Sequence, residues 1–253
     1  AIDSGGGVAS SASYSINGSI GQAAAGFVKS TSFLHWVGFW AGDVPNPTVA
    51  PTVGAAKMLA DGTFVSISGK IATSTEGDFA GFFYLEEPNR SSGIRVAFPA
   101  GAISGLVRGK SVVNVLGVMD KTPAGERRIA ASVIVITSTN PLAIGALGLN
   151  NRSIGGGDLG APPFGQYGIT GGTGLNNVGL FIRAWGQVSY VDGSYMLISD
   201  GSSAPIKVDT SGLASLPANG SYIGIIGISS LRIAGPDRLP LILPLNTADQ
   251  YYP

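Results

Sequence analysis

The chain has 253 residues, of which 39 are glycine, 15 are proline and only 12% are charged, and its formal net charge is zero. No run of basic residues is present, so a nucleic-acid partner is not expected, because phosphate contacts supply most of that affinity. The lack of cysteine excludes disulfides, thiolate chemistry and cysteine-ligated zinc. No segment has the ~18 consecutive apolar residues of a membrane helix, so no membrane span is predicted.

The first residue is Ala1, and the chain begins Ala-Ile-Asp-Ser-Gly. A small residue at the first position is typical of a mature end left after a signal peptide is removed. A chain trimmed of its first residues would begin in the same way. With the Ser-, Asn- and Gly-rich composition, this start predicts an extracellular or cell-surface location.

Residues 1–44 are predicted as a β-strand segment. A segment of this length without a disulfide or metal is at the limit of what folds alone. Three outcomes are open: donor strands that complete a neighbouring subunit's sheet, strands that cover the chain's own domains, or a disordered tail. Donation predicts a subunit interface at the apolar positions of this segment: Tyr14, Ile16, Phe33, Trp36, Phe39 and Trp40.

The remaining chain is predicted as a spacer, two similar domains and a connector. Residues 45–54 are rich in proline, which favours an extended, semi-rigid spacer. Residues 55–138 and 179–253 each contain five short runs rich in Val, Ile, Phe and Tyr, without helical periodicity. The glycine-rich residues 139–178 carry few charges and are predicted to pack across both domains.

The two sets of runs match in order, which indicates an internal duplication. Gly69 corresponds to Gly186, Ile94-Arg95-Val96 to Ile206-Lys207-Val208, and Gly117 to Gly227. A single helical turn is expected between the third and fourth runs of each copy, within residues 100–107 and 211–216. The predicted fold class is therefore all-β, with two tandem five-stranded domains after an N-terminal strand segment.

Five strands with a helical turn between the third and fourth resemble the OB-fold, a partly open Greek-key barrel. Two such copies resemble the tandem OB-like modules of secreted bacterial surface proteins. The patterns Ser-Tyr-Ser-Ile, Gly-Gln and Gly-Phe-Trp before residue 44 resemble a short β-module near the start of some exported bacterial proteins. These resemblances imply export and a barrel topology, and they imply no reaction.

No catalytic residue, cofactor site or metal site is predicted. His35, the only histidine, lies among aromatic residues and is interpreted as a packing residue. Glu86 and Glu87 are the best carboxylate pair, but adjacent strand residues point to opposite faces, so they are interpreted as exposed loop charges. No serine lies in a Gly-x-Ser-x-Gly elbow, and no phosphate-binding loop motif is present. The chain is predicted not to be an enzyme.

OB-folds bind oligosaccharides or oligonucleotides on the face of strands two and three. In the first copy this resemblance implies a possible ligand face at Phe82, Tyr84, Arg95 and Phe98, whose side chains otherwise form barrel core. One cation per copy suits glycans better than nucleic acid. The main hypothesis is a structural subunit of an extracellular filament or surface layer, a homopolymer joined head to tail through its N-terminal strands. The alternative is a secreted glycan-binding module.

Overall fold

The computed structural model of the chain describes residues 46–245, apart from 100, 141, 162, 163, 212 and 214. It also describes the backbone of four short strands before residue 46 and of one strand after residue 245. The all-β prediction is confirmed, since strands dominate the regular structure of these residues. None of the helices among them has the length and apolarity needed to cross a bilayer.

The chain divides into two compact units, residues 1–46 and residues 47–253. In the first unit, backbone pairing forms two separate two-stranded antiparallel sheets. One pairs β1 (Gly6–Ser10) with β2 (Ser15–Ser19), and the other pairs β3 (Gly26–Lys29) with β4 (Leu34–Val37).

The first sheet of the second unit contains a closed barrel. Its six strands are β5 (Thr48–Val49), β6 (Phe64–Ala72), β7 (Phe82–Glu86), β8 (Gly93–Ala97), β9 (Ser111–Lys121) and β10 (Arg127–Thr139). The order of pairing is β5-β6-β7-β8-β10-β9, and β6 also pairs with β9, which closes five strands into the first barrel. Within the barrel β8 and β10 are parallel, and the other neighbours are antiparallel.

The second sheet repeats this order of pairing. Its strands are β11 (Leu147–Gly148), β12 (Phe181–Val191), β13 (Tyr195–Ser199), β14 (Ile206–Asp209), β15 (Tyr222–Ala234), β16 (Asp237–Pro244) and β17 (Gln250–Tyr251). The order is β11-β12-β13-β14-β16-β15-β17, with an additional pairing of β12 with β15. As in the first barrel, the pair in the middle of the order, β14 and β16, is parallel.

Strand alternation separates the two faces of β7. Phe83 and Leu85 are fully buried in the core of the first barrel, whereas Phe82 and Tyr84 belong to a second apolar cluster that includes Phe181 of β12. That cluster, which also contains Ile228, Leu243 and Leu245, joins the first barrel to the second sheet. The second sheet has its own core between β12, β13, β14 and β15.

A short helix, α1 (Val53–Lys57), covers one end of the first barrel and buries Val53 and Ala56 in its core. Thr52 caps it, because the Thr52 hydroxyl accepts a 3.0 Å hydrogen bond from the Ala55 N–H. The strand β5 just before it pairs with β6. Within the predicted spacer over residues 45–54, Thr48 and Val49 thus form a strand that pairs with the barrel, and α1 begins at Val53.

Both copies begin in the same way. In the second copy β11 pairs in parallel with β12, and a 3₁₀ turn at Asn151–Ser153 follows it, capped by Asn150. In each copy, the residue just after the second barrel strand has a side-chain carboxylate that accepts a hydrogen bond from the first N–H of the helix or turn. This bond joins Glu87 to Val53 N at 2.5 Å in the first copy and Asp200 to Asn151 N at 2.8 Å in the second.

Gly117 and Gly227, which the sequence pairs with each other, have equivalent surroundings. A Cβ on Gly117 would overlap the carbonyl oxygen of Ala130 in β10, and a Cβ on Gly227 would lie 2.5 Å from the carbonyl oxygen of Leu243 in β16. Each glycine therefore lets the fourth and fifth barrel strands of its copy approach closely. Gly69 has a positive φ of 71° beside the register shift between β6 and β9, as expected for a bend in that strand.

The helical turns expected within residues 100–107 and 211–216 do not occur in the described part of those segments. Instead, the Glu76 carboxylate accepts hydrogen bonds from the N–H groups of Gly105 and Leu106, at 2.7 and 3.2 Å. Asp209 accepts one from the Ser211 N–H at 2.8 Å. These carboxylates satisfy the loop backbone without a helix.

The connector contacts both copies. The side chain of Gln166 accepts from Arg127 N at 2.8 Å and donates to the Gly125 carbonyl at 3.1 Å, both in the first copy. Asn177 accepts a 2.8 Å hydrogen bond from the Ser229 hydroxyl in the second copy. Ile154 is fully buried, whereas Leu142, which was expected to pack, is 79% exposed.

Candidate functional site

The structure divides the predicted ligand face of the first copy. Phe82, Tyr84 and Arg95 come together: the Arg95 guanidinium lies 4.1 Å from the centre of the Phe82 ring and donates hydrogen bonds to the Tyr84 hydroxyl at 3.0 and 2.8 Å. Phe98 does not join them, because it packs on the core of the first barrel beside Phe83. Tyr84 is completely buried.

The polar centre of this face is the carboxylate of Glu126. The Tyr84 hydroxyl donates to Glu126 Oε1 at 2.7 Å, and Arg95 forms a 2.8 Å ion pair with Glu126 Oε2. From the second sheet, the Ser230 hydroxyl donates to the same Oε2 at 2.9 Å. Burial, followed by the nearby Glu126 charge, raises the pKa of Tyr84 well above its ordinary value. Tyr84 is therefore a neutral donor at physiological pH.

A second polar cluster binds the backbone of Phe181, the first residue of β12. The Phe181 N–H donates to Glu86 Oε1, and the Phe181 carbonyl accepts a 2.9 Å hydrogen bond from Arg90. Arg90 also lies 3.5 Å from Glu86 Oε2 and has a positive φ of 64°. An unfavourable φ at a non-glycine residue persists where surrounding contacts compensate for it. Glu86 and Arg90 together satisfy both backbone groups of Phe181.

Two buried groups at this interface have strongly shifted pKa values. Burial lowers the pKa of Lys57 to about 7, although the charges of Glu126 and Glu86 oppose the shift. Its ammonium donates a 2.7 Å hydrogen bond to the Val178 carbonyl of the connector. Burial likewise raises the pKa of Glu86 to about 7, although the Phe181 N–H and the Arg90 charge act to lower it.

Backbone also touches backbone here. A Cβ on Gly93 of β8 would overlap the carbonyl oxygen of Gly179, and a Cβ on Gly179 would lie 2.6 Å from the carbonyl oxygen of Gly93. We call this whole set of contacts between the first barrel and the second sheet the interdomain interface. The expected ligand face at Phe82, Tyr84 and Arg95 therefore lies at this interface: Tyr84 is fully buried, whereas Phe82 is half-buried and lines a cleft.

The interpretation of Glu86 and Glu87 as exposed loop charges is wrong, since Glu86 is fully buried and Glu87 is only 6% exposed. Their side chains do point in different directions, as strand geometry requires. Glu86 binds the Phe181 backbone, whereas Glu87 binds Val53 N and pairs with Lys70 at 2.8 Å. Each carboxylate is held by its own partners, so the two do not face one substrate. No cluster of three metal-binding side chains occurs among the described residues.

The predicted subunit interface falls on the first unit. Ile16 lies in β2 opposite Ala9, and Trp36 lies in β4 opposite Phe27. His35, next to Trp36, pairs with Val28. The other four predicted interface residues lie outside the described residues: Tyr14, Phe33, Phe39 and Trp40.

The described residues of the second sheet include three exposed aromatic side chains that the sequence did not single out: Trp185, Tyr190 and Tyr222. Trp185 and Tyr222 are 52% and 50% exposed, with ring centres 5.9 Å apart on the neighbouring strands β12 and β15. Tyr190 packs beside Tyr195, and the Lys207 ammonium lies 3.8 Å from the centre of the Tyr195 ring. Along β12, Trp185 stands at every second position with the polar residues Arg183, Gln187 and Ser189. That alternation in the sequence would have placed Trp185 on the exposed face.

Neither a protein-family model nor a curated protein sequence matches this chain.

Proposed function

We propose that this protein is a structural subunit of an extracellular filament or surface layer, with no catalytic role. The observation that supports this proposal best is the interdomain interface. It uses the face of the first barrel that carries Phe82, Tyr84 and Arg95 to attach the second copy. Arg95 pairs there with Glu126 and Arg90 with Glu86, and the buried Lys57 donates a hydrogen bond to a backbone carbonyl. The two copies are thereby held together in one compact unit, and such a unit suits a repeating structural subunit.

The tandem OB-like organisation is part of the proposal. Both sheets have the same order of pairing, the same parallel pair in the middle of that order, and the same additional contact between their first and fourth barrel strands. Each also starts with a short parallel strand and a capped helical turn. A five-stranded Greek-key barrel duplicated once accounts for these equivalences.

The N-terminal unit supplies the joining segment. Two-stranded hairpins are marginally stable alone in water, and this unit consists of two of them as described by its backbone pairing. Strand addition to an exposed edge of the next subunit would give such hairpins a larger sheet, and repeated addition produces an open-ended polymer. In the described part of the second unit, β5 lies at the end of its sheet and Val49 is 75% exposed.

Electron microscopy and light scattering of two proteins test the proposal: the full chain and a truncated chain of residues 47–253, which is a compact unit by itself. The full chain is expected to form ordered polymers that grow with concentration, and the truncated chain to stay monomeric. Monomeric full-length protein at millimolar concentration, or polymers of the truncated chain, would contradict head-to-tail donation.

Glycan binding by the first copy is not favoured, because two residues of its predicted ligand face are withdrawn from solvent: Tyr84 is fully buried and the Arg95 side chain is 16% exposed. A cleft of about 280 Å³ remains beside this face, with Phe79 and Phe82 on one side and Asp209 on the other. Of the two carboxylates in its lining, Asp78 is already paired with Arg108 at 3.1 Å, and Asp209 accepts from the Ser211 N–H.

A further inference from the structure

A second cleft, of about 400 Å³, lies on the second copy away from the interdomain interface. Four segments meet there: the 3₁₀ turn at Asn151–Ser153, a glycine-rich connector loop around Gly171, the loop before β14, and the hairpin of β15 and β16. Its walls carry two arginines, Arg152 and Arg232, and no carboxylate. We call it the arginine cleft.

Arg232 differs from the other partly or fully buried arginines in its lack of a partner. Arg90, Arg95, Arg108, Arg127 and Arg128 each pair with a carboxylate. Arg238 lies 3.7 Å from the centre of the Tyr167 ring. The Arg232 guanidinium makes no hydrogen bond, ion pair or ring contact within the part of the chain that the structure describes, and its Nε is buried.

Asn151 adds an independent polar group to the same cleft. It is only 2% exposed, and its Nδ2 donates to the Ile198 carbonyl at 3.1 Å, which fixes the orientation of the amide. Its Oδ1 is buried and accepts no hydrogen bond from any described residue. A buried acceptor left without a donor is costly, so such a group in a native protein needs an explanation.

Arg232 and Asn151 favour two different chemical groups on one ligand. Arg232 offers a forked donor to an oxyanion, and guanidinium groups bind carboxylate and sulfate-type oxygens with two parallel hydrogen bonds. Asn151 Oδ1 requires a donor, such as a hydroxyl. Thr173 and Ser203 line the cleft with further hydroxyls, and Leu239 with Pro240 forms an apolar wall. A cleft of this volume holds a small organic molecule rather than a bare ion.

We propose that the arginine cleft binds one acidic sugar residue, with its anionic group on Arg232 and its hydroxyls beside Asn151, Thr173 and Ser203. The exposed Arg152 adds positive charge at the rim. This site lies outside the predicted ligand face of the first copy, and it does not depend on filament assembly.

The test is a set of calorimetric titrations of the full chain with D-glucuronate, D-glucose 6-sulfate, D-glucose and inorganic sulfate. At least one acidic sugar is expected to bind at least tenfold more tightly than D-glucose and than inorganic sulfate. The stronger of the two acidic sugars identifies the anionic group, carboxylate or sulfate. Equal binding of D-glucose, equal binding of inorganic sulfate, or no binding of either acidic sugar would overturn the proposal.

Arg232→Gln should weaken binding of the acidic sugar by about tenfold to a hundredfold, the usual effect of losing a hydrogen bond to a charged group. Arg183→Gln, the same change on the same sheet but outside the cleft lining, is the matched control and should leave binding unchanged. Without ligand, Arg232→Gln should keep the melting temperature of the parent chain or raise it. A lowered melting temperature would show that Arg232 is a structural residue, and the proposal would then fail.

Discussion

Gly93 and Gly179 face each other across the interdomain interface, and neither has room for a Cβ. Gly93 has an ordinary φ, so a substitution there adds volume without adding backbone strain. We expect Gly93→Ala to separate the two backbones and to lower the free energy of unfolding by about 1–3 kcal/mol, as overpacking does. Urea denaturation measures this change.

Gly145→Ala is the control for that substitution, since a Cβ on Gly145 meets no atom within 4 Å. Its free energy of unfolding should stay within about 0.5 kcal/mol of the parent value. Equal stabilities for both variants would show that the two backbones are not in contact in solution.

Tyr84→Phe removes one hydroxyl from the interdomain interface. That hydroxyl donates to Glu126 and accepts from Arg95, so its loss leaves two buried charged groups with one partner fewer. We expect a loss of about 1–3 kcal/mol in the free energy of unfolding, measured by urea denaturation. Tyr222→Phe, at a half-exposed tyrosine, should change this quantity by less than about 0.5 kcal/mol. A Tyr84→Phe protein as stable as its parent would be inconsistent with the network around Glu126.

The pKa values of Glu86 and Lys57 predict a minimum of stability near pH 7. Glu86 has an ordinary pKa of 4.5 and a folded pKa of about 7, so the folded chain binds more protons in this window and stability falls as the pH rises from 4.5 to 7. Lys57 has an ordinary pKa of 10.5 and a folded pKa of about 7. The unfolded chain binds more protons there, and stability rises from pH 7 to 10.5.

Each of these two contributions is on the order of a few kcal/mol. The measurement is the free energy of unfolding of the parent, Glu86→Gln and Lys57→Met proteins from pH 4.5 to 10.5. Relative to its parent, Glu86→Gln should lose the fall below pH 7, and Lys57→Met should lose the rise above it. Parallel pH profiles for all three proteins would mean that neither group is perturbed in the folded chain.

Val49→Lys tests whether the edge at β5 receives a neighbour's strand. A lysine on an edge strand disfavours edge-to-edge pairing, and Val49 is already 75% exposed, so the fold itself should tolerate the change. We expect shorter polymers or monomers by light scattering. Val107→Lys, at a 49% exposed valine outside the strands, should polymerise like the parent. If both variants polymerise normally, β5 is not the acceptor.

The barrel strands and their matching could be predicted because they depend on local signals. Alternating apolar residues bounded by turn residues mark a strand, and the repeat fixes which strands are equivalent. Gly117 and Gly227 were matched from the sequence for that reason. The helix α1 was missed because five residues are too few to show a helical period, although Thr52 is a good N-cap residue.

The interdomain interface could be predicted only in part. The aromatic and cationic side chains of Phe82, Tyr84 and Arg95 were placed on one face correctly, because strand alternation brings them together. The residues that pack against them, such as Phe181 and Ser230, lie far away in the sequence. No local sequence pattern predicts that the second copy, rather than a ligand, contacts this face. The burial of charged residues such as Glu86 could not be predicted for the same reason, since their partners lie far along the chain.

The arginine cleft was missed entirely. Arg232 and Asn151 come from different segments, and neither belongs to a motif with a recognisable spacing. Their significance lies in the partners that they lack, which only a complete account of the polar contacts reveals.

The hydrogen bonds to the Phe181 backbone have a consequence for how the first barrel and the second sheet can evolve. Glu86 and Arg90 belong to one half, yet they bind main-chain atoms of the other, which every amino acid at position 181 except proline would supply. The Phe181 side chain itself is buried in the apolar cluster with Tyr84 and Leu243, so the joint also needs an apolar residue at this position. Across related chains, position 181 should accordingly stay apolar, and changes at 86 and 90 should occur together.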